Sequence, residues 1–90
     1  MPPKRTLGPR TPRLGALGAA VEAFRKEADL SQEDLGAMCD LHGTHISGLE
    51  RGVRNPTYET LVRIAEALEI SVGDLASKAD RIHQSKNRNQ

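Results

Sequence analysis

The sequence predicts an all-α fold, a compact bundle of five short helices, on three observations. Apolar residues recur at three- and four-residue steps in several separate stretches, the period of an amphipathic helix. The 90 residues include one Phe, one Tyr and no Trp, so the core is left to Leu, Ile, Val and Ala, which suits close helix-on-helix packing. Helix start and stop signals punctuate the chain at short intervals, at Ser31, Gly52, Thr57 and Ser71.

The elements follow in order. Residues 1–13 hold four of the five prolines and no apolar periodicity, and read as a flexible arm. Thr11 and Pro12 suit the N-cap and first position of helix one. Leu14, Leu17, Val21, Phe24 and Ala28 form its apolar stripe, while Gly15 and Gly18 weaken its early turns by about 1 kcal/mol each. Ser31 begins helix two, with Glu33 and Asp34 at the positive end of the helix dipole. Leu35, Met38 and Cys39 are expected to face inward, and Gly36 to leave room for a crossing helix rather than to be a mere propensity defect.

Asp40-Leu41-His42 reads as a turn in which Asp40 takes the left-handed conformation, Leu41 plugs the core and His42 caps helix three. That helix runs from about residue 43 to 51, with Ile46 and Leu49 inward and Gly52 as its stop. After the Arg54-Asn55-Pro56 loop, Thr57 caps helix four, whose inner face is Leu61, Ile64, Ala65 and Leu68. Ser71 and Asp74 make a capping-box-like start to helix five, which carries Val72, Leu75, Ala79 and Ile82. From about Ser85 the chain is polar and expected to fray. The division is a basic arm over 1–13, a helical domain over 14–79 and a polar basic tail over 80–90.

Composition narrows the function classes. A single Cys excludes an internal disulfide and fits a reducing compartment. No apolar run approaches the roughly 18 residues of a membrane span, and the proline-broken N-terminus lacks a signal peptide's apolar segment, so a soluble, intracellular protein is expected. The formal charge of +1 hides a segregation. Residues 1–13 carry +4, residues 78–90 carry +3 and the stretch between carries −6. Basic ends on an acidic body suit tails that meet a polyanion, and equally suit tails that only keep a small protein in solution.

Residues 31–52 carry the functional reading. Two short helices joined by a tight turn can place one exposed helix in a DNA major groove while the other braces it. Away from Ile46 and Leu49, the third helix offers Gly43, Thr44, His45, Ser47 and Gly48, and positions 43, 44, 47, 48 and 51 share a strip. Thr44 and Ser47 can donate or accept, His45 can reach a purine N7 or a phosphate, and the glycines leave room for a thymine methyl. A helix with a purely structural task would favour Ala at Gly43 and Gly48.

The stretch from about Leu17 to Leu75, some two-thirds of the chain, resembles the phage-repressor type of helix-turn-helix domain, the Cro-like or XRE family. The matching pieces are Phe24-Arg25, Leu30-Ser31-Gln32-Glu33-Asp34-Leu35, Ile46-Ser47-Gly48-Leu49-Glu50-Arg51-Gly52, Asn55-Pro56 and the run from Leu61 to Leu68, in order and at family spacing. The resemblance implies a lambda-repressor-like bundle. It implies that Gly43, Thr44, Ser47 and Gly48, with His45 beside them, face the bases. Gln32 would bond a phosphate and brace the first recognition residue. Arg51, Arg54, Asn55 and Thr57 would meet the sugar-phosphate backbone, with Tyr58 at the flank, and Arg25 and Glu50 would form the ion pair that ties helix one to helix three. The chain departs from the family at Asp40, where Gly or Asn is usual, and at His42, where Ser or Thr is usual. The base-facing positions also hold small residues in place of the common Gln, Arg, Lys or Asn, which shifts recognition toward methyl contacts, His45 and DNA shape.

Three other readings compete with this one. Cys39, His42 and His45 stand at three-residue steps, but the turn separates them and no fourth ligand follows, so no metal and no cofactor are expected. An enzyme is not expected either, because five short helices offer little cavity for a positioned acid, base or nucleophile. The same frame serving as an antitoxin-like or adaptor module for an undefined protein partner is the serious alternative, and the acidic body favours it. The reading adopted is a cytoplasmic, nucleoid-associated regulator of prokaryotic type that binds double-stranded DNA as a homodimer. Val72, Leu75, Ala79 and Ile82 are its candidate dimer face, with ordinary packing onto helices one and four as the alternative. Lys4, Arg5 and Arg10 of the arm are placed in a neighbouring groove. Deleting residues 2–10 is then expected to weaken DNA binding and to reduce the log–log salt slope by about 0.9 for each phosphate the arm had neutralised. An unchanged slope would assign the arm to solubility alone.

Overall fold

Helices α1 (Pro12–Glu27), α2 (Gln32–Cys39), α3 (Gly43–Glu50), α4 (Tyr58–Ala67) and α5 (Val72–Arg88) follow one another in the computed structural model, which describes residues 12–88. Lys4, Arg5, Arg10 and the cap Thr11 lie outside the described residues.

Local chemistry sets most of the boundaries. Ser31 Oγ accepts the Asp34 amide at 2.9 Å while the Ser31 amide donates to the Asp34 carboxylate at 3.0 Å, and Ser71 and Asp74 repeat the arrangement at 2.9 and 3.0 Å. The Ser31 amide, helped by its hydroxyl, holds the Asp34 carboxyl below its ordinary range. That contribution to stability is present at neutral pH and is lost as pH falls through the lowered value.

Four helices close in one way. Asp29, Asp40, Gly52 and Glu69 have φ of 58°, 59°, 75° and 60°, and the amide after each reaches back to a carbonyl five residues earlier. These bonds run from Leu30 to Arg25, Leu41 to Gly36, Val53 to Gly48 and Ile70 to Ala65, at 2.7–3.1 Å. Asp40 and Gly52 behave as the sequence predicts. Asp29 and Glu69 carry the same signature in a less obvious form, a polar residue followed by an apolar one that packs on the core.

The core is Ala20, Val21, Leu35, Cys39, Ile46, Leu49, Ile64, Ala65, Leu68 and Leu75, drawn from all five helices. α1 lies against α5 and α3, α2 against α3 and α4, and α4 against α5. The buried residues of α1 are Ala16, Gly18, Ala20, Val21 and Arg25; of the expected stripe Val21 is buried and Phe24 packs against the core, while Leu14 and Leu17 are half-buried and Ala28 is exposed. The reason is close approach. A Cβ at Gly18 would lie 2.6 Å from the Glu50 carbonyl oxygen, so small residues let α1 run directly over the end of α3. Gly36 is needed in a similar way, but the room is taken by the turn itself, since a Cβ there would lie 2.6 Å from the Leu41 carbonyl oxygen.

Other expectations are corrected. Met38 does not face inward: it is 55% exposed, because Leu35 and Cys39 already fill the inner face of α2. α3 ends at Glu50, with Arg51 as its C-cap. α5 is helical through Arg88, past Ser85, where the polar sequence predicts fraying. The candidate dimer face on α5 is turned inward: Leu75 is 1% exposed and Val72, Ala79 and Ile82 pack against the core. Within the single chain, then, Leu75 is core and the other three are partly buried against it. Lys78 Nζ sits 5.5 Å from the centre of the Phe24 ring and Arg13 pairs with Asp80 at 2.9 Å, so two of the cations assigned to the ends bind α5 to α1. At an exposed site such an ion pair adds little stability.

A buried polar cluster fixes α3 against α1 and α2. Glu50 Oε2 accepts Arg25 Nε at 2.6 Å, and Oε1 accepts both Arg25 Nη2 and Gln32 Nε2 at 2.9 Å. Arg25 Nη1 donates to the Leu30 carbonyl at 2.8 Å, tying in the α1–α2 connection. The Glu50 carboxylate is only 3% exposed. The hydrogen bonds that Arg25 donates to Glu50 outweigh the cost of burial and push the guanidinium further up from its already high range. Removing one partner leaves the other charge buried. Glu50→Ala is expected to cost about 3 kcal/mol of folding free energy. Urea melts with equal midpoints for the two proteins would refute this.

Candidate nucleic-acid interface

α3 presents its outer strip because its inner side is fully used. Ile46 and Leu49 are buried, leaving Thr44 exposed and Gly43, His45 and Ser47 half-buried. The helix starts at His42, whose backbone is extended and whose Nδ1 lies 3.4 Å from the Thr44 amide and 3.0 Å from Thr44 Oγ1. Nδ1 accepts the Thr44 amide, and Thr44 Oγ1 lies within hydrogen-bond distance of the same ring nitrogen. His42 thus replaces the usual hydroxyl cap and also orients a residue of the outer strip, a role that its placement as a cap alone did not reveal.

Gly48 departs from its expected place among the base-facing residues. It is buried, and what covers it is the side chain of Arg54. Gln32 donates one amide N–H to Glu50, so in this structure it braces the ion pair, and that N–H is taken.

The flanking cations and polar groups lie on the surface. Arg51, Arg54, Asn55, Thr57 and Tyr58 are all exposed, Tyr58 at 70%. Thr57 Oγ1 accepts the Thr60 amide at 3.1 Å and its hydroxyl donates to Thr60 Oγ1 at 3.0 Å, so Thr57 serves first as the cap of α4. Among the described residues, Arg51 and Arg54 have no ion-pair partner. Glu50, next to Arg51 in sequence, has its charge turned inward and compensated by Arg25. The outer face of this corner is therefore polar, with Arg51 and Arg54 as its cations and the exposed carboxylates Glu33, against Gly43, and Glu59, in the first turn of α4, beside them.

Cys39, His42 and His45 are not brought together as a metal centre. Cys39 is buried, with its Sγ–H directed to the Arg63 carbonyl at 3.6 Å, and burial pushes the thiol above its ordinary range. His42 is engaged with Thr44. No group of three or more potential ligands converges among the described residues. Nor is any described helix long and apolar enough to cross a membrane.

Comparison with known proteins agrees with this geometry. A model described as helix-turn-helix matches residues 21–75. Control protein C.BamHI of Bacillus amyloliquefaciens is 43% identical over 59 residues, which are 64% of this chain and 73% of that protein. The clp gene regulator ClgR of Corynebacterium glutamicum superposes with a TM-score of 0.85 at 26% identity, covering 89% of this chain and 85% of that one. The restriction-modification controller protein C.AhdI of Aeromonas hydrophila superposes with a TM-score of 0.68 at 32% identity, covering 69% and 94%.

The buried thiol tests how α2 seats against α4. Only the thiolate is an effective nucleophile, and Cys39 is both covered and held protonated. Iodoacetamide at pH 8 is expected to modify the native protein far more slowly than the chain unfolded in urea. Equal rates would show that the α2–α4 contact is not formed in solution.

Proposed function

Because this chain belongs to the helix-turn-helix family, in its phage-repressor or XRE branch, we propose that it is a double-stranded DNA-binding transcriptional regulator that lays α3 in the major groove. The observation that carries this reading is the corner formed by α3 and the start of α4. It offers Thr44 and Ser47 beside two guanidinium groups, Arg51 and Arg54, that have no ion-pair partner among the described residues, and buries the neighbouring acid Glu50. Thr44, His45 and Ser47 are assigned to the base edges, and Gly43 beside them has the Glu33 side chain against it. Arg51, Arg54, Asn55 and Tyr58 are assigned to the sugar-phosphate backbone, with the first-turn amides of α4. Phosphate contacts of this kind supply affinity and register, and the few small base-facing groups supply modest discrimination.

A helix of eight residues spans too few base pairs for useful specificity, which supports action as a homodimer on paired half-sites. The inward packing of Val72, Leu75, Ala79 and Ile82 favours an interface elsewhere than the inner face of α5. The assignment is to a non-enzymatic regulator of the bacterial cytoplasm, with no cofactor.

A protein-interaction module is the second reading. Exposed Met38 favours it, standing beside a shallow groove lined by Cys39, Asp40, Arg63, Glu66 and Ala67.

Gel shifts on random-sequence duplex separate the two. A DNA-binding regulator is expected to shift the duplex at 50 mM salt and to release it as salt rises. Arg51→Ala and Arg54→Ala are each expected to flatten the log–log slope by about 0.9. A protein that leaves the duplex unshifted at low salt is the interaction module.

A further inference from the structure

We infer that Gly48 is a seat for Arg54, a positioning residue that holds the guanidinium beside α3 before any DNA arrives. The inference rests on the DNA-docking reading and adds to it a reason for a glycine inside an eight-residue helix.

A Cβ at Gly48 would lie 2.9 Å from Arg54 Cδ, 3.0 Å from Cγ and 3.0 Å from Nε. The stem of Arg54 therefore rests on bare helix backbone and buries it. The chain path explains the meeting. Gly52, at φ 75°, reverses the chain, and the Val53 amide donates back to the Gly48 carbonyl at 3.0 Å. Residue 54 is thereby brought over residue 48. Among the described residues no carboxylate or carbonyl accepts from the Arg54 guanidinium, so packing of the stem, and not an ion pair, sets its position.

An exposed arginine samples many rotamers, and each one frozen on binding opposes association. Seating the stem in the free protein removes part of that cost and, with no acceptor on the guanidinium among the described residues, leaves its terminal nitrogens for a phosphate. Any side chain at position 48 would occupy the seat. The atoms it would meet belong to a flexible side chain, so the fold yields by releasing Arg54. Ala is also a better helix former than Gly, so stability does not fall.

The test is a double-mutant cycle on the full chain with Gly48→Ala, Arg54→Ala and the combination. It reads thermal midpoints and the affinity for random duplex as a function of salt. Gly48→Ala is expected to melt at or above wild type, to weaken binding by up to about tenfold near 0.1 M salt and to flatten the salt slope. In the Arg54→Ala background the same substitution is expected to change nothing further. Equal weakening in both backgrounds, or none with Arg54 present, would overturn the seat. If wild type itself binds no duplex, the DNA reading fails separately. The seat is then judged by an NMR cross-peak between Arg54 Hδ and Gly48 Hα in the free protein, which must be present in wild type.

Discussion

The buried carboxylate of Glu50 is the interaction on which this molecule turns. It sits at the end of α3 and gathers donors from Arg25 on α1 and Gln32 on α2. Arg25 in turn binds the Leu30 carbonyl in the link between those two helices. Three elements and one connection thus meet at a single buried charge pair. Desolvation offsets much of the attraction in such a pair, so its worth lies in geometry. A hydrophobic contact would tolerate rotation of α3, whereas three directional hydrogen bonds on one carboxylate do not. The pair also removes a negative charge from the corner that, in the proposed role, meets a polyanion.

Short helices need firm ends, and the chain supplies them by repetition. Hydrogen-bonding side chains open α2, α3, α4 and α5, and a left-handed residue followed by an apolar one closes α1 through α4. Each closure satisfies carbonyls that the helix leaves free, and those after α1, α2 and α4 place Leu30, Leu41 and Ile70 on the core. The turn between α2 and α3 is short enough that its backbone folds onto Gly36. Bare backbone recurs at the points of closest approach, with Gly18 under the end of α3 and Gly48 under Arg54. Backbone entropy is lost at both positions; the packing of α3 against α1 depends on Gly18, and the placement of Arg54 on Gly48.

The proposed interface divides into a frame and a reading surface. The frame is strongly built: Ile46 and Leu49 fill the core, Glu50 locks the orientation, and Gly52 directs the chain back along the helix. The reading surface is sparse, consisting of a threonine oriented by His42, a serine and a histidine. Such a surface suits a protein whose affinity comes from phosphate contacts and whose discrimination comes from a few base edges and the deformability of the duplex.

The sequence by itself determined the number and order of the helices, their N-caps at Ser31, His42, Thr57 and Ser71, the turn at Asp40, the stop at Gly52, and Leu35, Ile46, Leu49 and Ile64 as core. It also determined the pairing of Arg25 with Glu50, through the family pattern. All but that pairing are local: a cap is read from three residues and an amphipathic face from steps of three and four. Tertiary structure alone decided which side of α1 is buried, that Met38 faces solvent, that Leu75 belongs to the core, that Gln32 serves Glu50 and that Gly48 lies under Arg54. Periodicity marks a residue as belonging to a face but does not say what stands opposite it. Whether a glycine is a defect or a seat, and whether an apolar stripe meets its own chain or another, depends on the atoms that arrive from elsewhere in the fold.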